Sequence, residues 1–237
     1  MPSPSIDQRL AEAFAHYRSL EAPLHERLAG YAAASNEIFP AYGHAVDQLV
    51  QRLKNSDGGS NAPNVGEVMP DFLLPDDNGH LIGLDELLAK GPTAIMFHRG
   101  HWCPYCRMNV GALVRAKQQI EAKGGQVVII TPETQHYAQM FKLQSGAPFP
   151  VLTDVDNGYA LSLNLAIWLG PDLRDLLSQR GRVLPAYHGN DSWMLPIPAT
   201  FVVGTDRRIK ARFVDPDFRR RMDIDELIRV LSGDARG

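Results

Sequence analysis

The chain has 237 residues, of which 44% are hydrophobic and 22% charged, with a formal net charge of −3. These proportions are ordinary for a globular protein, and the length allows one large domain, or one domain with an extension. The charge balance argues against a nucleic-acid-binding or membrane-binding protein, and the longest apolar runs fall short of a membrane-spanning helix.

The N-terminal residues 1–7 lack a basic stretch followed by an apolar one, so we expect no secretory signal. The chain has two cysteines, which are too few for a disulfide framework in a chain of this size. In a reducing cytoplasm, such a pair is more often catalytic or metal-binding than structural. We therefore expect a cytoplasmic protein whose cysteines carry out chemistry.

Residues 5–54 are rich in Ala, Glu, Arg and Leu, and their apolar residues recur at helical spacing. The pattern predicts two or three amphipathic helices, broken near Pro23 and Pro40. We expect their apolar faces to pack on the rest of the chain, with a homodimer interface as the alternative. Turn-forming residues at 55–64 then predict a linker.

We accordingly divide the chain into a helical extension with its linker, residues 1–60, and a main domain, residues 61–237. The main domain begins with a predicted hairpin that turns at Asp77-Asn78-Gly79. Strands and helices then alternate, which implies a parallel sheet with crossover helices. The predicted elements are a buried strand at 93–97, a helix from Pro104 to about Lys123, a strand at 127–130, a helix with Thr131 as its cap and Pro132 at its first position, and a strand at 151–152.

An insertion near 167–195 interrupts this alternation, and its two tryptophans are candidates to cover the cysteines. An antiparallel pair is predicted at 199–203 and 209–214. Asp223 and Glu226 then predict the start of a last helix. The arginines at 207–221 alternate with aspartates, which favours a solvated face over a nucleic-acid site. They are Arg207, Arg208, Arg212, Arg219, Arg220 and Arg221.

Both cysteines lie between the strand at 93–97 and the helix that follows, in the motif Trp102-Cys103-Pro104-Tyr105-Cys106. Pro104 suits the first turn of a helix, so Cys103 is expected at the N-cap and Cys106 at the third helical position. Unpaired N–H groups and the helix dipole there favour a thiolate, so we expect a lowered pKa for Cys103. Neighbouring positive charges would add to this effect, namely Arg99, Arg107 and a protonated His98 or His101.

The two-residue spacing lets the sulfurs meet across one helical turn, so the pair can cycle between dithiol and disulfide. A zinc-type site is an alternative, because His98, His101 and the two cysteines form a suitable ligand set. Against it, His98 follows a strand whose side chains alternate faces, and Trp102 has no role in ligation. An inert structural pair is the third possibility. We favour redox chemistry and expect no metal.

A proline precedes the later apolar strand, in the segment Ile197-Pro198-Ala199-Thr200. A cis Pro198 would hold the start of that strand beside the cysteines and present backbone groups to a bound peptide or thiol. The alternative is an ordinary trans proline.

Together these motifs resemble those of the AhpC/TSA (redoxin, peroxiredoxin-like) family of the thioredoxin-fold superfamily, over roughly residues 65–232. The resemblance implies an α/β, thioredoxin-like fold, a mixed central sheet flanked by helices, here with an N-terminal helical extension. It implies an oxidoreductase that reduces hydroperoxides, with disulfide reduction or a non-enzymatic redox sensor as alternatives. The implied site consists of the catalytic Cys103 and Cys106, supported by Trp102, Pro104, Tyr105, Arg99, Pro198 and Thr200.

The resemblance leaves open which cysteine attacks. A thioredoxin-type alignment makes Cys103 the attacker, and Pro198 favours this choice. A peroxiredoxin-type alignment puts Cys106 at the peroxide-reacting position, with Arg99 where that motif opens with proline. The chain shows no flavin or nicotinamide fingerprint, so no cofactor is expected. Reducing power must come from a thiol donor such as thioredoxin, glutaredoxin or glutathione.

Overall fold

The computed structural model describes residues 4–233, and these residues form ten α-helices and nine β-strands. The helices are α1 (Ile6–Ser19), α2 (Leu24–Ile38), α3 (Pro40–Asn55), α4 (Leu84–Leu88), α5 (Pro104–Ala122), α6 (Gln135–Ser145), α7 (Gly158–Ser162), α8 (Pro171–Gln179), α9 (Leu184–His188) and α10 (Ile224–Leu231). The strands are β1 (Leu73–Pro75), β2 (Leu81–Gly83), β3 (Thr93–Phe97), β4 (Gln126–Thr131), β5 (Val151–Thr153), β6 (Ala166–Trp168), β7 (Met194–Pro196), β8 (Ala199–Val203) and β9 (Ile209–Val214). The outermost residues of the predicted extension and main domain, 1–3 and 234–237, lie outside the described part.

A five-stranded mixed sheet, in the order β5-β4-β3-β8-β9, forms the centre of the molecule. Strands β3, β4 and β5 are parallel, whereas β8 and β9 are antiparallel to their neighbours. All five residues of β3 are buried, because this strand has a neighbour on each edge and a packed layer on each face. The predicted mixed sheet flanked by helices is therefore confirmed.

Alternate residues of β3 enter two separate hydrophobic cores, as the pleat of a strand requires. Ala94 and Met96 belong to the core shared with the N-terminal helices and α5. Ile95 and Phe97 belong to the core on the other face of the sheet, beneath the β1–β2 hairpin. The strand that leads into the cysteine motif is thus held from both sides.

The N-terminal extension forms three helices, α1 to α3, which pack within the chain. The ring of Tyr31 in α2 lies 5.3 Å from the ring of Tyr105 in α5, edge to face. The guanidinium of Arg107 lies 4.8 Å from the ring of Phe14 in α1. The extension therefore covers the helix that begins at the cysteines. None of the helices in residues 4–233 is long and apolar enough to cross a membrane.

The turn-forming segment after α3 does not behave as a free linker. Arg212 of β9 donates hydrogen bonds to the carbonyl oxygens of Gly59 at 3.0 Å and Ala62 at 3.2 Å, and to Asn64 Oδ1 at 2.5 Å. Ala62 is fully buried. The planar fork of one arginine satisfies two backbone carbonyl oxygens and one side-chain oxygen at once, and these hydrogen bonds hold the segment against the edge of the sheet.

Helix α6 begins later than the sequence predicts, with Thr134 at its N-cap instead of Thr131. Thr131 is the last residue of β4, where it is paired with Thr153 of β5. Its hydroxyl accepts a hydrogen bond from the backbone N–H of Glu133 at 3.1 Å. Pairing in the sheet thus outweighs the helix-capping preference of threonine. The predicted start of the last helix is confirmed, since Asp223 accepts hydrogen bonds from two N–H groups of α10.

Candidate active site

The cysteines lie at the junction between the end of the central strand β3 and the start of helix α5. Cys103 is the N-cap of α5, Pro104 occupies its first position, and Cys106 lies one turn further on, as predicted. Both thiols are free, with residue exposures of 1% for Cys103 and 0% for Cys106. The site is therefore shielded from bulk water, and a charge on either sulfur needs partners from the protein.

Two donors reach the sulfur of Cys106. The backbone N–H of Arg99 and the Nη2 of Arg221 each lie 3.4 Å from this Sγ. Arg221 is 8% exposed, and it also donates to the carbonyl oxygens of Phe218 and Arg220. Its side chain thus ties the segment after β9 to the start of α5.

The two thiols do not ionise alike. Burial raises the pKa of the Cys103 thiol. The hydrogen bond from Cys106 and the charges of Arg99 and Arg221 outweigh this effect and lower the pKa to about 6. Burial and the hydrogen bond to Cys103 raise the pKa of the Cys106 thiol well above its ordinary value. The pair therefore carries one negative charge near neutral pH.

The hydrogen-bond donors and the lowered pKa indicate different sulfurs. Arg99 and Arg221 contact the sulfur of Cys106, whereas the lowered pKa belongs to Cys103. We place the charge on Cys103. A Cys106 thiol that donates to Cys103 can still accept contacts from Arg99 and Arg221, and the two guanidinium charges act on both sulfurs through a dry interior.

Arg99 is 2% exposed, and aromatic rings surround its guanidinium. Its Cζ lies 3.8 Å from the ring centroid of Phe218 and 5.0 Å from that of Trp102. Among residues 4–233, the ion pairs include neither Arg99 nor Arg221. Since aromatic faces hold a cation without neutralising it, the positive charge of Arg99 remains available to the sulfurs.

Arg221 was not predicted as a site residue, because the arginine run was expected on a solvated face. Arg219 does pair with Asp217 and Asp47, and Arg220 pairs with Asp215. Arg221 is instead buried beside Cys106. Nothing in a run of three arginines distinguishes the buried one, so no sequence signal marks it.

His98 does not supply the positive charge predicted for it. His98 is 1% exposed and its Nε2 lies 3.0 Å from Oδ1 of Asn109. Burial lowers the pKa of His98, so a protonated His98 is wrong. The ring of His101 pairs with Glu133, at 2.6 Å between Nδ1 and Oε1. With these partners, the two histidines do not converge on the sulfurs as a zinc ligand set.

Glu133 is a second residue near the cysteines that the sequence did not indicate. Its carboxylate is fully buried and also accepts the backbone N–H of His101 at 2.8 Å. Burial raises the pKa of Glu133, while His101 opposes this shift. The N–H of Cys103 in turn donates to the carbonyl oxygen of Gly100 at 3.2 Å. Glu133 thereby fixes the short segment that positions Cys103.

Gly100→Ala tests this arrangement. Gly100 has φ +130°, and a Cβ there would lie 2.4 Å from the carboxyl carbon of Glu133. We expect a loss of about 2 kcal/mol or more in the free energy of unfolding, measured in urea. Gly111→Ala is the control, because Gly111 is helical with open space around it and should gain up to ~1 kcal/mol. A Gly100→Ala protein as stable as the wild type would contradict the close packing of Gly100 against Glu133.

Of the other predicted site residues, Tyr105 and Thr200 are buried, and Pro198 is not in the predicted conformation. Tyr105 is buried, with its ring 5.6 Å from that of Phe218. Thr200 is buried in β8 opposite Met96 of β3. Residues 4–233 contain no cis peptide bond, so the predicted cis Pro198 is wrong, and it no longer favours either cysteine as attacker. The chain enters β8 directly from β7, which the adjacent β6 holds in an extended form.

Of the two tryptophans predicted to cover the cysteines, Trp193 packs against the core that contains them, whereas Trp168 does not. Trp168 is 54% exposed and lies 5.8 Å from the guanidinium of Arg52 in α3. The insertion reaches the site through α9, where the ring of Tyr187 lies 5.0 Å from that of His101. His101 is also stacked on Tyr137 of α6 at 5.0 Å, and the rings of Tyr137 and Tyr187 lie 4.9 Å apart, so the three rings contact one another.

The fold is similar to that of a solved structure. The peroxidoxin BcpB of Mycobacterium tuberculosis superposes with a TM-score of 0.55 at 18% identity, covering 73% of this chain and 98% of that one. This likeness shows the predicted thioredoxin-like α/β fold.

Two curated relatives are similar in sequence. The "Probable 1-Cys peroxiredoxin" of Syntrichia ruralis is 25% identical over 70% of this chain and 71% of its own length. The thiol-disulfide oxidoreductase ResA of Bacillus subtilis is 24% identical over 83% of this chain and 89% of its own length. The model of the AhpC/TSA family matches residues 65–212, more than half of the chain. The chain therefore belongs to the AhpC/TSA family, as a thiol-dependent oxidoreductase.

Proposed function

We propose that this oxidoreductase is a peroxidase in which Cys103 attacks a hydroperoxide and Cys106 resolves the product. The observation that carries the proposal is the buried cysteine pair at the start of α5, with the charges of Arg99 and Arg221 beside it. A pKa of about 6 keeps Cys103 as the nucleophilic thiolate at neutral pH.

In the first step, the Cys103 thiolate attacks the terminal peroxide oxygen. An S–O bond forms, the O–O bond breaks, and the leaving alkoxide takes up a proton and departs as an alcohol. Arg99 and Arg221 stabilise the negative charge that develops on the leaving oxygen. Cys103 is oxidised by two electrons to a sulfenic acid.

In the second step, the sulfur of Cys106 attacks the sulfenic sulfur of Cys103. An S–S bond forms, and the hydroxyl group leaves as water with the proton of Cys106. A dithiol or two thiols of an external donor, such as thioredoxin, glutaredoxin or glutathione, then reduce the disulfide. We place this cycle in the reducing cytoplasm, which keeps both thiols free between turnovers. A homodimer remains a prediction.

The burial of both sulfurs favours a peroxide over a protein disulfide, because a small molecule enters a covered site more readily than a folded partner does. Disulfide reduction is the second candidate, favoured by the Cys-x-x-Cys spacing and by the likeness to the oxidoreductase of Bacillus subtilis. The non-enzymatic sensor is the third.

Stopped-flow reaction of the reduced protein with hydrogen peroxide, run beside insulin reduction, distinguishes these candidates. We expect the peroxide to oxidise the protein faster than insulin disulfides do. Fast insulin reduction with slow peroxide reaction would overturn the peroxidase and favour the second candidate. Failure of both reactions would leave the sensor.

The rate of the peroxide reaction should depend on pH through Cys103. Its thiol pKa is depressed to about 6 from 9.0, so the thiolate fraction falls as pH drops through 6. We expect a rate that is half-maximal near pH 6 and flat above pH ~7. The same ionisation should raise the free energy of unfolding as pH rises from about 6 to 9, and this added stability should be absent below pH 6. A half-maximal rate near pH 9 would contradict the assignment, and Cys103→Ser should remove this pH dependence of stability.

A further inference from the structure

Part of the packing around Cys103 comes from the helical extension. Tyr31 of α2 is buried in the same hydrophobic core as Cys103 and Tyr105. The rings of Tyr31 and Tyr105 meet edge to face, and Tyr105 is two residues from Cys103 along α5. This contact places Tyr31 beside the start of α5.

Tyr31 also lies close enough to Cys103 for their charges to interact. Burial raises the pKa of Tyr31, and the neighbouring Tyr42 and Cys103 add to this effect. Arg107 of α5 interacts electrostatically with both Tyr31 and Cys103, so these three side chains are near one another. The raised pKa means that the Tyr31 hydroxyl keeps its proton at neutral pH. It can therefore serve as a hydrogen-bond donor next to the thiolate.

This donor is free in the structure. Among residues 4–233, the Tyr31 hydroxyl forms no hydrogen bond, either to Cys103 or to any other group. Tyr31 is only 5% exposed, yet its oxygen is not among the unpartnered polar atoms that are sealed from solvent. A buried tyrosine usually has a hydrogen-bond partner for its O–H group. A free and accessible O–H group near the nucleophile is suited to an oxygen atom of a small substrate.

We propose that Tyr31 is a substrate-binding residue whose hydroxyl donates a hydrogen bond to the leaving oxygen of a hydroperoxide at Cys103. As the S–O bond forms and the O–O bond breaks, the leaving oxygen takes the electron pair and becomes an alkoxide, or hydroxide when the substrate is hydrogen peroxide. The hydrogen bond stabilises this charge. The oxygen then takes up a proton from water, and Tyr31 keeps its own. This role rests on the proposed peroxidase function, and it makes the helical extension part of the site.

Tyr31→Phe tests the role, because it removes the hydroxyl and keeps the ring that contacts Tyr105. At about pH 8, where Cys103 is already ionised, hydrogen peroxide should oxidise the reduced variant at least roughly tenfold more slowly than the wild type in stopped flow. Alkylation of Cys103 by iodoacetamide should stay within about twofold, because this reaction needs the thiolate but has no oxygen leaving group. The thiol pKa taken from the alkylation rates should remain near 6.

Tyr17→Phe in α1 is the matched control. The ring of Tyr17 lines a surface groove of the extension beside Glu12 and Glu37, so this variant should react with peroxide as the wild type does. A loss of rate in Tyr105→Phe, without one in Tyr31→Phe, would assign the hydrogen bond to Tyr105 and overturn the proposal.

An unchanged peroxide rate in a Tyr31→Phe protein that is folded by circular dichroism would refute the role of Tyr31 and leave the peroxidase intact. Equal losses of reactivity toward peroxide and iodoacetamide would also refute it, because Tyr31 would then act only by packing around Cys103. A wild-type protein that does not react with hydrogen peroxide would refute the peroxidase, and this role with it. The two failures are therefore distinguishable.

Discussion

Cys103→Ser is expected to slow oxidation of the protein by hydrogen peroxide by at least about a thousandfold, because a hydroxyl at this position supplies no thiolate. Cys106→Ser should keep the rate of the first step within roughly tenfold, since it leaves Cys103 and both arginines in place. The sulfenic acid on Cys103 should then persist in the Cys106→Ser protein, because no second thiol is present to displace it.

Stopped-flow fluorescence gives the two rates, and mass spectrometry after dimedone treatment identifies the oxidised residue. The two variants are each other's matched control, since each removes one sulfur from the same buried pair. Fast oxidation of the Cys103→Ser protein, with dimedone found on Cys106, would reverse the assigned roles. The contacts of Arg99 and Arg221 with the Cys106 sulfur would then mark the attacking thiolate.

Arg221→Met has the second largest expected effect. Removing this buried guanidinium takes away one of the charges that lower the pKa of Cys103, so that pKa should rise from about 6 toward its ordinary value. The peroxide reaction at pH 7 should slow on the order of tenfold or more, since each unit of pKa above the assay pH removes a factor of ten in thiolate. Two carbonyl groups also lose their hydrogen-bond donor, which should lower the free energy of unfolding by about 1–3 kcal/mol.

The rate of iodoacetamide alkylation against pH measures the thiol pKa directly, and a purely structural loss would leave this pKa in place. Arg208→Met is the control, because Arg208 is exposed and donates to the carbonyl oxygen of Gly66, on the β9 edge of the sheet. An unchanged Cys103 pKa in a folded Arg221→Met protein would show that Arg221 only braces the segment after β9.

Local patterns in the chain were enough to identify the redox motif and its setting. The unbroken apolar run of β3 marks a strand buried on both faces. Pro104 marks the first turn of α5, and so fixes Cys103 as N-cap with Cys106 one turn on. The start of α10 at Asp223 and the strand pair β8–β9 also follow from short-range signals. Each of these features depends on neighbours within a few residues.

The electrostatics of the site were decided by contacts between distant parts of the chain. Arg221 follows Cys106 by 115 positions, and Glu133 follows His101 by 32. Because such residues meet only when the sheet assembles, their types carry no signal of the partner. Burial likewise decided that His98 is neutral, which its position beside the motif did not indicate.

The sequence by itself therefore determined that the chain carries a dithiol at the start of a helix in a thioredoxin-like fold. The start of α5 and Arg99 already predicted a lowered pKa for Cys103. Only the tertiary structure decided that Arg221 acts on the same thiols, because this buried guanidinium reaches them through packing between distant parts of the chain. Thiol pKa values respond to charges within a few ångströms in a dry interior, and these distances are set by packing across the whole chain.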